Sequence, residues 1–280
     1  MIKDERNVKK FPIYVITIAG FIVLFFFYSL CILKFSIKVD ETIIKSPNVP
    51  ITFDGSRLIQ FSDTVIEDDE DLSVLEKAVT EINRLNPDII IFTGDLFSKG
   101  AVSSSILTQT ESLLTQIQGT ISKIAILGDQ DLDHADTVIQ TLANAGFKVL
   151  QNESMVLYNG SSESLTFIGG NSLTTSPPLK SLLVDNSNLN TFNVMLLHEP
   201  TLAALVTDYP IELQLSGHCR GLSTTIDTNN PNYCNQFYNG TYHFADQLTL
   251  HVNQGLNRPN QTMTLLKRPT IQSFLLIKEK

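Results

Sequence analysis

Apolar positions along most of this chain follow two alternating rhythms. Short apolar runs bounded by Gly, Asn, Asp or Pro read as strands: Arg57–Ser62, Asp88–Phe92, Lys123–Leu127, Phe147–Leu150, Met155–Tyr158, Leu165–Ile168, Asn193–Leu197, Ile211–Leu215, Gln247–Val252 and Ile271–Ile277. Between several of them the apolar spacing lengthens to three or four. Leu72, Leu75, Val79, Ile82 and Leu85 share one helical face, and Asn86-Pro87 stops that helix. Further helices are expected within Ser105–Gln118, near Ala135–Ala145 and after Pro200. This alternation predicts an α/β layered fold. Asn- and Ser-rich patches near 184–190 and 226–240 read as loops, and no internal repeat is present.

The start of the chain breaks the pattern. Pro12 to Leu33 is uncharged throughout, 22 residues, which is long enough to cross a bilayer as a helix. It exceeds the apolar stretch of a cleaved signal peptide, and Cys31 lacks the small preceding residues of a lipoprotein site. Lys3, Arg6, Lys9 and Lys10 precede it, against Lys34 and Lys38 after it. That bias places residues 1–11 in the cytoplasm and the rest beyond a single-pass cell-membrane anchor at 12–33. A linker over 34–56, broken by Pro47 and Pro50, then leads to a domain over 57–280.

Composition adds an exclusion. The net charge is −9; residues 1–10 carry +2, so residues 34–280 carry −11, which disfavours nucleic acid as a partner. Of the three cysteines, Cys31 lies in the apolar run, while Cys219 and Cys234 could pair or stay reduced.

The chemistry lies just after the strands. Asp63, Asp95, Asp129, His198 and His218 each follow a different one, and open α/β sheets bind ligands beyond the carboxyl ends of their strands. Three carboxylates and two imidazoles suit a divalent ion such as Mn, Fe, Zn or Mg. Any one of them alone would read as a helix cap or a buried polar residue; the ordered set is what carries the signal. Asp129–Asp133 also resembles the start of a calcium loop, but His134 and Gln140 stand where such a loop needs Gly and Glu.

The blocks FSDTV (61–65), TGDLF (93–97), LGDQD (127–131), LLHEP (196–200) and LSGHCRG (215–221) resemble those of the calcineurin-like metallophosphoesterases in order and spacing. The tail over 248–276 resembles the end of bacterial membrane-linked members. The resemblance covers roughly residues 57–277. It implies a two-sheet β-sandwich flanked by helices, with two metals at the strand ends hydrolysing a phosphate ester.

Three family histidines are replaced, by Val65, Gln130 and Arg220. By the family's pattern, one metal position keeps only Asp63 and the bridging Asp95. The other keeps Asp95, Asp129, His198 and His218. The expectation is therefore one ion rather than two, with Arg220 bridging Asp63 and Asp95 in place of the lost ion. Gln130 can donate a hydrogen bond but no proton near neutral pH, so the expected hydrolysis is weak. The alternative is an inactive relative serving as a binding or structural module outside the cytosol.

Overall fold

The computed structural model describes residues 5–28, 36–172, 179–221, 234, 236–244, 247–256 and 268–279. Two six-stranded sheets stack face to face. The first has the order β1 (Lys38–Ser46), β12 (Thr270–Lys278), β2 (Arg57–Phe61), β3 (Ile89–Thr93), β4 (Ser122–Ile126) and β5 (Lys148–Val149). The second has the order β10 (Gly240–Phe244), β11 (Leu248–Val252), β9 (Leu213–Ser216), β8 (Phe192–Leu196), β7 (Ser164–Gly169) and β6 (Glu153–Tyr158). Both are mixed. Strands β2 to β5 run parallel, as do β11, β9, β8 and β7, whereas β12, β10 and β6 pair antiparallel to a neighbour.

Strand alternation divides the apolar residues among three layers. Leu58, Ile89, Ile91, Ile124 and Ile126 point between the sheets, where they meet Phe167, Phe192, Val194, Leu196, Leu213 and Leu215. Ile59, Phe61, Ile90, Phe92 and Ala125 point outward against the helices α2 (Asp69–Arg84), α3 (Ser104–Thr115) and α4 (Ala135–Asn144). Asp68 caps α2 by accepting from the amides of Glu70 and Asp71, so the acidic run at 67–71 serves a helix N-terminus. The far side of the second sheet carries the short helices α5 (Leu179–Asn186) and α6 (Ala203–Val206), and the bonded pair Cys219–Cys234, whose Cα atoms are 5.5 Å apart.

Three sequence expectations need correction. The linker expected over 34–56 contains β1, which pairs in parallel with β12 along nine positions, from Lys38 opposite Thr270 to Ser46 opposite Lys278. Its charged Lys38, Asp40 and Glu41 disguised it, yet charge on an edge strand is a common guard against edge-to-edge pairing. Residues 179–186, partly assigned to a loop, form α5, and 240–244 form β10. The remaining strands and helices fall within a few residues of expectation.

The N-terminal expectation finds less support. Helix α1 (Glu5–Phe27) covers much of the apolar run, but among the described residues no helix is long and apolar enough to cross a membrane. Residues 29–33 of the expected span lie outside the described ones, as do 257–267 of the C-terminal tail.

The β1 pairing generates a test. Arg268 donates to the carbonyls of Ser36 and Ile37 and to the Ser36 hydroxyl, pinning the start of β1. A chain beginning at Ser36 should fold and stay monodisperse. One beginning at Pro47 exposes the long apolar edge of β12 and should aggregate on refolding, as read by light scattering. Equal behaviour would show that β1 is dispensable.

Candidate metal centre

Strands β2, β3, β4, β8 and β9 all end at one edge of the sandwich, and their following residues converge there. Asp63 and Asp95 are fully buried, as are His198 and Asp131. The backbone is bent hard to bring them in. Among the described residues seven non-glycine positions have positive φ, and five lie in these loops: Asp63, Val65, Asp95, His218 and Arg220. For a β-branched residue such as Val65 (φ 45°) that conformation is strained. Strain collected at one edge is a mark of a functional site.

Glycine precedes three of the site residues because the loops touch. A Cβ at Gly217 would stand 2.5 Å from Asp63 Oδ2, and one at Gly128 would strike Asp95 Oδ1. Only glycine permits so close an approach.

Arg220 lies between two carboxylates. Its Nε donates to Asp63 Oδ1 at 3.3 Å and its NH2 to Asp95 Oδ2 at 2.9 Å. Asp63 Oδ2 also accepts from Ser62 Oγ at 2.5 Å and from the His218 amide at 3.2 Å. Gln130 folds onto Asp95, its amide donating to Oδ1 (2.9 Å) and its Nε2 to Oδ2 (2.8 Å). Burial pushes the Asp63 carboxyl up, opposed by the positive charge of His198 and Arg220. Burial acts on Asp95 in the same sense, but there His198 and Arg220 outweigh it and hold the carboxyl below the usual range.

The other half gathers around Asp129. His218 Nδ1 lies 3.0 Å from Asp129 Oδ1, and His198 Nε2 lies 3.4 Å from both Asp129 Oδ1 and Asp95 Oδ1. Lys99 Nζ approaches Asp129 from outside at 3.7 Å. Among the described residues, two groups bring ligand atoms within 4.8 Å of one another: Asp129, His198 and His218, and Asp63, Asp95 and His198. Arg220 already occupies the carboxylates of the second group. The first has no guanidinium on its carboxylate, whose contacts are the two imidazoles and, from outside, Lys99.

His198 tests whether a metal suits these residues. Its Nδ1 sits 2.6 Å from the Thr93 carbonyl and must donate there, which leaves Nε2 as the ligand atom. Nε2 is buried and makes no hydrogen bond, yet it faces two carboxylate oxygens. Burial opposes charge on this imidazole, but Asp95, Asp129 and Asp63 raise its pKa well above the ordinary value. Burial likewise opposes the Asp129 carboxylate, while His198 and His218 hold its pKa far below the usual range. A divalent ion against Nε2 answers the same demand for positive charge.

The match across the chain now decides its descent. Residues 56–219 fit the family model for calcineurin-like phosphoesterases. The chain belongs to that family. An uncharacterized metallophosphoesterase of Bacillus subtilis, YkuE, is 29% identical over 246 residues, covering 86% of this chain and 85% of that protein. A Danio rerio protein named as a transmembrane protein with metallophosphoesterase domain is 23% identical over 266 residues, covering 85% of this chain and 57% of that one. The UDP-2,3-diacylglucosamine pyrophosphatase LpxG of Chlamydia muridarum is 20% identical over 264 residues, covering 72% and 78% respectively.

All five ligand candidates from the sequence thus meet at one edge, with Val65, Gln130 and Arg220 among them. Sequence reasoning missed the role of Asp131. This buried carboxylate accepts three backbone amides, from Asp95 (2.8 Å), Leu96 (2.8 Å) and Gly128 (2.8 Å), and so ties the loop after β3 to the loop after β4. Burial and the nearby Asp95 push it up to about 7. Its place two residues beyond Asp129 was the available signal, absorbed there into a pattern resembling a calcium loop.

Two measurements follow from this geometry. Arg220→Met leaves Asp63 and Asp95 buried without their cation. It should cost about 3–5 kcal/mol in urea denaturation with chelator present, and added Mn²⁺ should restore part of that loss. A variant as stable as the parent would mean that the guanidinium compensates nothing. Asp131→Asn removes one acceptor oxygen from the amide cluster and should cost about 1–3 kcal/mol by the same measurement. An unchanged midpoint would show that Asp131 does not tie the two loops.

Proposed function

We propose that this protein is a membrane-anchored phosphate-ester hydrolase that works with one divalent ion, Arg220 holding the charge of a second. The observation that carries this reading is the guanidinium bonded to both Asp63 and Asp95 beside an Asp129–His198–His218 group whose ligand atoms lie within 4.8 Å of one another. Asp129, His198 and His218 would hold the ion, with Asp95 beside them. A divalent ion in that position supplies Lewis-acid polarisation of a phosphoryl oxygen.

The remaining chemistry belongs to the chain. Asp131 fixes the loops that carry Asp95 and Asp129, and Thr93 orients His198. His198 and Arg220 together oppose the protonation that burial favours at Asp63 and Asp95. Gln130 spends both its amide and its side-chain N–H on Asp95 and cannot protonate a leaving group, so turnover should be slow. That same contact favours a second reading, a binding module that recognises a phosphate ester without cleaving it.

The anchor rests on the uncharged run at 12–33 and on α1, where twelve large apolar or aromatic side chains between Tyr14 and Tyr28 are exposed. So much apolar surface on one helix needs a partner other than water. The Danio rerio relative's name is consistent with this. The basic N-terminal flank would place the phosphoesterase domain outside the cytoplasm.

The deciding experiment loads the purified full-length protein with Mn²⁺ or Zn²⁺, measures bound metal, and assays p-nitrophenyl phosphate and its bis ester. The expected result is one ion per chain, lost in His218→Ala, with slow hydrolysis that Gln130→His raises by about 10²-fold. Bound metal with no hydrolysis, even in Gln130→His, selects the binding module. Absence of both metal and turnover removes the metal-dependent reading.

A further inference from the structure

Strand register links the start of the domain to the metal centre. In the first sheet β12 runs antiparallel to β2, with Gln272 opposite Gln60, so Thr270 stands level with Ser62. Strand β1 runs parallel to β12 with Lys38 opposite Thr270. Lys38 is thus two strands across from Ser62, about 10 Å at the usual strand spacing. The loop between is also tied in: the Thr270 amide donates to Gly255, the Leu256 amide donates to Ser62, and a Cβ on Gly255 would meet Asp63 Cβ at 2.6 Å.

The chain therefore enters the domain at the metal edge, and Arg268 clamps the entry point at Ser36 and Ile37. Tyr28, the residue after α1, and Ser36 are eight residues apart, so covalent geometry keeps their Cα atoms within about 28 Å. The opposite edge of the sandwich lies a further β12 length away, about 30 Å for nine residues. A tether entering there holds the metal edge nearer than the opposite edge to whatever surface holds α1.

From this we infer that the metal centre faces the bilayer and takes a phosphate ester carried by an amphiphile in that same membrane. The inference rests on the anchor proposed above and adds an orientation and a substrate class to it. The acidic run at 67–71 lies at the same edge, after β2. Attraction to anionic headgroups therefore does not orient the domain; the short tether and the pinned β1 do. Two-dimensional confinement then raises the local concentration of a membrane-borne ligand at the site without any added contact.

The test uses the full-length protein with Cys31→Ser, reconstituted in phosphatidylcholine vesicles containing nitroxide-headgroup lipid. A fluorophore is placed at Ala101→Cys, beside the metal edge, or at Leu189→Cys, an exposed position before β8 at the opposite edge. The label at 101 should lose most of its fluorescence and the label at 189 should keep it. Loss at 189 alone, or equal loss at both, overturns the orientation while leaving the anchor intact. Failure of the protein to float with the vesicles removes the anchor, and this inference with it.

The ligand class has its own arm. Phosphatidic acid in those vesicles should shift the emission of the 101 label, and His218→Ala should abolish the shift. Free glycerol phosphate at the same bulk concentration should leave the emission unchanged. A response to the free ester alone, or to neither, overturns the membrane-borne substrate.

Discussion

Charge compensation at the metal edge is the constraint on which the rest of this structure depends. Asp63 and Asp95 are buried at the ends of adjacent parallel strands, where isolated carboxylates would be costly. Arg220 reaches both from the loop after β9 in the other sheet. One residue thereby joins the two halves of the sandwich across the top of their shared core. Asp95, Asp129 and Asp63 all bear on the buried His198 and raise its pKa against the effect of burial. The asymmetry between a half closed by guanidinium and a half holding Asp129, His198 and His218 follows from a single side chain.

The backbone around the site is shaped to keep those charges close. Five left-handed non-glycine residues and the tight contacts at Gly128 and Gly217 are each unfavourable in isolation, at about 1–3 kcal/mol for a strained residue. They persist because the sandwich core beneath is fixed by interdigitated apolar residues from both sheets and because Asp131 ties two of the loops by three amides. Val65 shows the cost most directly. A β-branched side chain at φ 45° has no local reason to be there, so the fold imposes the geometry on it.

Much of this was legible in the sequence. Buried strands such as Ile89–Thr93 announce themselves as unbroken apolar runs, and the Gly-Asp and Gly-His pairs that follow mark where such strands deliver their ligands. The Arg220 bridge was expected from the family resemblance, because two carboxylates that lose the histidines of a metal position need another cation. What escaped was whatever depends on a distant partner. Strand β1 is polar and charged, and its pairing is set by β12, more than 200 residues later. Helix α5 and strand β10 lie in or beside Asn-rich stretches whose local composition argues for loops, and packing on the second sheet overrides that preference. Asp131 escaped for a related reason: its function is to bind backbone, which leaves no signature in side-chain chemistry.

The late-pairing β1 also determines how the site meets its surroundings. A domain of this architecture could be tethered from either edge of its sheets, and the chemistry at Asp129 would be the same. Because β1 runs parallel to β12, the polypeptide arrives beside Asp63. Had it paired antiparallel, the entry point would sit at the opposite edge, about 30 Å from the metal ligands. Strand direction, a property fixed by register along nine residues, thus sets which edge of the sheets the incoming chain meets. Arg268 adds to that control by holding Ser36 and Ile37 against the sheet. Loosening that clamp would free the start of β1 while leaving Asp63, Asp95 and Asp129 in place.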